Sequence, residues 1–170
     1  MLRIFYSLLM LLVCTTQGCI NDDDPKGPSL SVGEPLPVFS VEMNDGRKVS
    51  NTSLLGKVSV IVFFNTGCRD CQQELPVIQK LWDEYRDNEN VEIVLIAREE
   101  SEQEILDYWS EHNLTLPFSP QENREVYNLF ASSVIPRIYI SDQKGIVKAN
   151  FDDSDMPSLE VLSQEINKLL

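Results

Sequence analysis

The sequence predicts an α/β fold, a central mixed β-sheet flanked by helices and preceded by a β-hairpin. Three observations predict it. Residues 57–64 (KVSVIVFF) and 91–97 (VEIVLIA) are near-continuous apolar runs rich in β-branched residues, the pattern of strands buried on both faces. Between and after them, apolar residues recur at helical spacing. Two strand-like runs near the C-terminus flank a turn signal, which adds an antiparallel pair to the parallel ones.

The chain has 170 residues, enough for one domain and a short leader. Hydrophobic residues make up 42% and charged residues 24%, as in an ordinary globule. The formal net charge of -13 and the lack of a Lys/Arg cluster exclude nucleic acid as a partner.

The first element is a leader over residues 1–18. Arg3 gives a positive start, and Ile4 to Val13 form an apolar run too short to span a bilayer. Gly18-Cys19 then resembles a bacterial lipobox, with Thr16 and Gln17 departing from its usual residues. Cys19 is the expected lipidation site. Residues 19–34 include an acidic stretch (NDDDPKGP), have no periodicity, and are read as a flexible tether with a reach of roughly 20 Å. The domain is expected over 35–170. These features imply export and lipid anchoring in the bacterial cell envelope, on the periplasmic side or the cell surface.

Within the domain, 38–43 and 47–50 flank Asn44-Asp45-Gly46, a hairpin signal. The strand over 57–64 is broken by Asn65-Thr66-Gly67. A helix over 72–85 follows, with Leu75, Ile78, Leu81, Trp82 and Tyr85 on one face. After the second strand, Ser101 and Glu104 form a capping-box pattern that opens a helix to about His112. Residues 123–131 predict a short helix, 137–141 and 145–151 a hairpin around Asp142 to Gly145, and 157–170 an amphipathic closing helix. Trp82 and Trp109 fit core positions, and His112 has no assigned role.

Four cysteines are present. Cys14 falls in the leader and Cys19 is the lipid site, which leaves Cys68 and Cys71, spaced C-x-x-C. Two cysteines and one histidine cannot complete a structural zinc site, so no metal is expected. A disulfide closing so small a loop would stabilise little, and redox chemistry remains. The pair sits where a strand ends and a helix begins, where free N–H groups and the helix dipole favour thiolate. Arg69 should add to that effect and Asp70 oppose it. Cys68 is expected to attack and Cys71, one turn on, to resolve. Glu74, three residues past Cys71, is a candidate proton acceptor, though the commoner fate of a helix-face carboxylate is the surface. The disulfide Cys68–Cys71 is the only redox group expected, with no cofactor.

The order of these elements resembles the thioredoxin fold. More narrowly it resembles the TlpA/ResA-like branch of extracytoplasmic thiol-disulfide oxidoreductases, related to the AhpC/TSA redoxins. The marks are GEPLPVF at 33–39, the Asp45-Gly46 turn, LLGK at 54–57, FFNTGCRDCQQELP at 63–76 and Val134-Ile135-Pro136. The resemblance implies that Pro136 is a cis-proline beside the cysteines and that the Ile135 backbone pairs with an incoming peptide. It implies protein thiols and disulfides as substrates, a membrane thiol carrier as electron donor, and a reductant's role. Three departures matter, one of them the uncommon Arg69-Asp70 pair between the cysteines. Gly67 replaces a usual tryptophan, and Val62 stands where a buried acid often serves the second cysteine. A thiol peroxidase is the first alternative, but the peroxidatic P-x-x-x-T/S-x-x-C pattern fails at Ile61 and Asn65. The second is a non-enzymatic surface lipoprotein that uses the fold for binding.

Overall fold

A computed structural model describes residues 29–170. The leader, Cys19 and the start of the tether lie outside the described residues. The central sheet has five strands in the order β5-β4-β3-β6-β7. Strand β3 (Val58–Phe64) runs parallel to β4 (Val91–Ala97) and antiparallel to β6 (Arg137–Ser141). The edges are β5 (Phe118–Ser119), parallel to β4, and β7 (Val147–Phe151), antiparallel to β6. All seven β3 residues are buried, as a strand with a neighbour on each side and packing on both faces requires. Successive side chains point to opposite faces. Phe64 packs on Trp109, ring centroids 5.4 Å apart, while Phe63 meets Phe130 at 4.9 Å.

The hairpin β1 (Ser40–Glu42) and β2 (Lys48–Ser50) forms a separate two-stranded sheet around Gly46, whose φ of +82° only glycine adopts freely. Its Asn44 brackets Phe118, with the Asn44 N–H donating to Phe118 O and the Phe118 N–H to Asn44 Oδ1. The hairpin thereby covers the short edge strand β5.

Three helices flank the sheet: α1 (Arg69–Tyr85), α2 (Glu102–His112) and α3 (Leu159–Asn167). The capping box at Ser101 and Glu104 is present, with both reciprocal hydrogen bonds. Trp109 is buried and its indole N–H donates to Leu116 O, as suits a core tryptophan, whereas His112 is exposed. The helix expected over 123–131 is reduced to one 3-10 turn, Tyr127–Leu129. Tyr127, Phe130 and Ala131 are buried at helical spacing, but a single turn satisfies all three. Residues 29–34, which the sequence assigns to the tether, lie along the domain. Leu30 donates to Phe130 O, Gly33 donates to Val147 O, and Arg137 donates to Ser29 Oγ. Among the described residues no helix is long and apolar enough to cross a membrane.

Candidate active site

Strand β3 ends at Phe64, and the next three residues turn the chain into α1. Asn65 pins this turn from both sides. Its Nδ2 donates to the carbonyls of Arg98 (3.0 Å) and Glu99 (3.4 Å), and its Oδ1 accepts the Gly67 N–H at 2.8 Å. A Cβ at position 67 would stand 3.1 Å from that Oδ1, which accounts for glycine there. Thr66 is held by Glu100, which accepts its backbone N–H at 2.9 Å and its hydroxyl through a very short hydrogen bond.

Cys68 is the N-cap of α1, with extended backbone and no side-chain cap. The expected strand-to-helix placement of the dithiol is therefore present. Cys68 is half-buried and Cys71 fully buried, and both are free thiols. The two sulfurs are electrostatically unequal. The Cys71 S–H donates to Cys68, and the backbone N–H groups of Cys71 and Asp70 add to it. Together they bring the Cys68 thiol down to about 6 against partial burial and the Asp70 charge. Burial pushes Cys71 well up, and its bond to Cys68 pushes the same way, with the Arg98 guanidinium pulling weakly against both. Arg69 is exposed at the surface.

The opposite wall is the loop before β6. The peptide between Ile135 and Pro136 is cis, and Ile135 O lies 3.5 Å from Cys68 Sγ. Glu74 departs from its commoner surface fate. It is 3% exposed, its Oε1 has no hydrogen-bond partner among the described residues, and burial lifts its carboxyl to about 7. It shares a helix face with Cys71, three residues away. Among the described residues no group of three or more His, Cys, Asp or Glu side chains could hold a metal.

Residues 32–150 match the AhpC/TSA family, more than half of the chain. The chain belongs to the AhpC/TSA family. Among its relatives is a Bacillus cereus protein named thiol-disulfide oxidoreductase ResA, 22% identical over 96% of this chain and 95% of that one. Another is the thioredoxin-like protein YneN of Bacillus subtilis, 29% identical over 83% of each. A crystal structure of a thioredoxin-family thiol:disulfide interchange protein from Chlorobium tepidum superposes with a TM-score of 0.68. It is 21% identical and covers 84% of this chain and 97% of its own. The fold of this AhpC/TSA member is thioredoxin-like, and its apparatus is a free dithiol on a helix N-terminus. The chain is an enzyme of the thiol-disulfide oxidoreductase class.

Sequence reasoning assigned roles on the cysteine helix and at Ile135-Pro136. It passed over Arg98 and Glu100 after β4 and Tyr127 before the proline loop, all buried. A signal existed for the first two: charges directly after a buried parallel strand lie at its C-terminal end, where such sheets place their sites.

Proposed function

We propose that this enzyme reduces protein disulfides outside the cytoplasm, with Cys68 as nucleophile and Cys71 as resolving thiol. The observation that carries the reading is the inequality of the two sulfurs. Near neutral pH Cys68 is largely thiolate and reachable, and Cys71 is a buried thiol. The Cys68 thiolate attacks one sulfur of a substrate disulfide. A Cys68–substrate disulfide forms, the substrate S–S bond breaks, and the leaving thiolate takes a proton from water. Cys71 then gives its proton to Glu74 and attacks Cys68 sulfur, which breaks the Cys68–substrate bond, releases the second substrate sulfur as a thiolate that takes a proton from water, and closes Cys68–Cys71. Two electrons pass to the substrate. The dithiol is restored by a membrane thiol carrier.

Ile135 and Pro136 form the wall on which the substrate backbone lies, Arg69 and Asp70 tune the nucleophile, and Glu74 accepts the proton. Support for export comes from the leader over 1–18. In this reading Cys19 carries the lipid, the part of the 19–34 tether that precedes the docked residues 29–34 spans the gap to the membrane, and 35–170 is the catalytic domain.

Variants of the full chain test this. Cys71→Ser should accumulate mixed disulfide with insulin, and Cys68→Ser should lose insulin reduction. Alkylation of reduced Cys68 should reach half its plateau rate near pH 6, since thiolate rises with pH. Full activity in Cys68→Ser would overturn the assignment. A reduction potential of about -270 mV would support a reductant, and one near about -120 mV would make it an oxidant. Cys19→Ala should leave the membrane fraction.

A further inference from the structure

We propose that Tyr127 is a positioning residue of the dithiol site: it holds the Ile135–Pro136 wall at the separation from Cys68 that an extended peptide requires. The inference rests on the reading of Ile135–Pro136 as the substrate wall. Tyr127 touches neither cysteine and no reacting atom.

Its place in the fold carries the argument. The ring is buried, and its hydroxyl lies 2.5 Å from Ser133 O and 2.6 Å from Val134 O. One O–H proton is thus shared between two successive carbonyls. Arg137 Nε adds a second donor to Ser133 O at 3.1 Å. Val134 has φ +61°, the left-handed region that a β-branched residue enters only when its surroundings impose it. The hydroxyl bond to the Val134 carbonyl is such an imposition, one residue before Ile135 O reaches to within 3.5 Å of Cys68 Sγ.

The other side of Tyr127 is rooted in the cysteine loop. The Arg98 Cζ lies 5.1 Å from the ring centroid, and Arg98 is fully buried. The Arg98 backbone N–H donates to Phe64 O, and its carbonyl accepts Asn65 Nδ2, so it is fixed to the turn that presents Cys68. Phe63 meets the ring edge at 5.4 Å. One side chain therefore couples the nucleophile's loop to the wall facing it, and its hydroxyl is the coupling element.

A small disulfide needs only the Cys68 sulfur. A peptide disulfide also needs a correctly placed backbone. Tyr127→Phe keeps the ring and removes the hydroxyl. Reduced wild type and variant are compared with insulin and with the small disulfide 5,5′-dithiobis(2-nitrobenzoate), and the Cys68 thiolate is titrated by its ultraviolet absorbance. The insulin rate should fall about tenfold, through KM, as the loss of one buried hydrogen bond allows. The small-disulfide rate and the thiolate midpoint should stay within about twofold of wild type. Val134→Gly, which frees the same wall without touching the aromatic core, should show the same selective loss. Equal losses on both disulfides, or none on either in both variants, would overturn the proposal. Wild type inactive on both disulfides would sink the oxidoreductase reading itself; an active wild type with symmetric variants would sink only the role of Tyr127.

Discussion

Glu74 and Glu100 are both buried carboxylates, one on helix α1 three residues past Cys71 and the other just past strand β4, hydrogen-bonded to Thr66. Their exposures are nearly equal, 3% and 5%, and burial raises the carboxyl of each. Their surroundings differ. Glu100 receives the Thr66 N–H and hydroxyl, which pull its carboxyl back down. No donor offsets the desolvation of Glu74 among the described residues, and one of its oxygens is unpartnered there. Burial with donors makes a carboxylate a clamp that favours the charged form. Burial without them leaves a carboxyl that takes up and gives up its proton near neutrality.

The largest expected effect separates the two directly. Glu74→Gln should slow resolution of the Cys68 mixed disulfide by about 100-fold, the scale of a lost general base. In wild type, resolution should weaken as pH falls through about 7, where Glu74 takes up a proton. In Glu74→Gln that inflection should vanish. Glu100→Gln, which can still accept from Thr66, should change the rate by less than about threefold. Rapid-mixing measurements of mixed-disulfide decay decide it, and equal slowing in the two variants would erase the contrast.

The contrast was half legible in the sequence. The dithiol at a strand-to-helix junction could be read because Val58 to Phe64 and the Leu75–Tyr85 stripe carry local periodicities that no distant contact needs to supply. The Ser101–Glu104 cap is equally local. Burial of Glu74 is not. Its neighbours along α1, Gln72, Gln73 and Pro76, are those of a solvated face, and only the packing of α1 against the rest of the domain encloses it. The clamp between Thr66 and Glu100 spans 34 residues and depends on the parallel pairing of β3 with β4. The 123–131 segment misled for a related reason. Its apolar spacing is helical, but Tyr127 spends its hydroxyl on Ser133 and Val134 and one 3-10 turn is enough to place it.

Stability against pH sharpens the comparison next. The folded Glu74 carboxyl lies near 7 against an ordinary value of 4.5, so the fold binds its proton more tightly than the unfolded chain does. Its burden on stability is absent below pH 4.5, grows through that window and is complete above 7. Glu74→Gln should therefore raise Tm above pH 7, by on the order of 5 °C, and the gain should disappear toward pH 4. For Glu100→Gln the pH-dependent gain should be smaller, because the Thr66 donors already offset part of the cost. Thermal unfolding of the three proteins at pH 4, 6 and 8 measures the slopes, and a gain for Glu74→Gln that grows toward acid pH would contradict the account.

The smallest effect tests whether Glu100 acts through Thr66. Thr66→Val removes the hydroxyl donor, keeps the side-chain volume and leaves the backbone N–H in place. If the hydroxyl and the carboxylate are partners, Thr66→Val and Glu100→Gln should be non-additive, with a coupling of about 0.5–1 kcal/mol in unfolding free energy. Thr66→Val combined with Glu74→Gln should be additive within about 0.5 kcal/mol, because no hydrogen bond joins those side chains. Both cycles are run at pH 8, above the value of about 7 to which burial lifts the Glu74 carboxyl. The Thr66–Glu74 cycle is a control for general loosening of the cysteine loop. A loop that merely softened would register in both cycles, whereas a specific clamp registers in one. Coupling of equal size in the two would mean that Glu100 is one more buried acid, and that the difference between the carboxylates lies somewhere other than in the donors of Thr66.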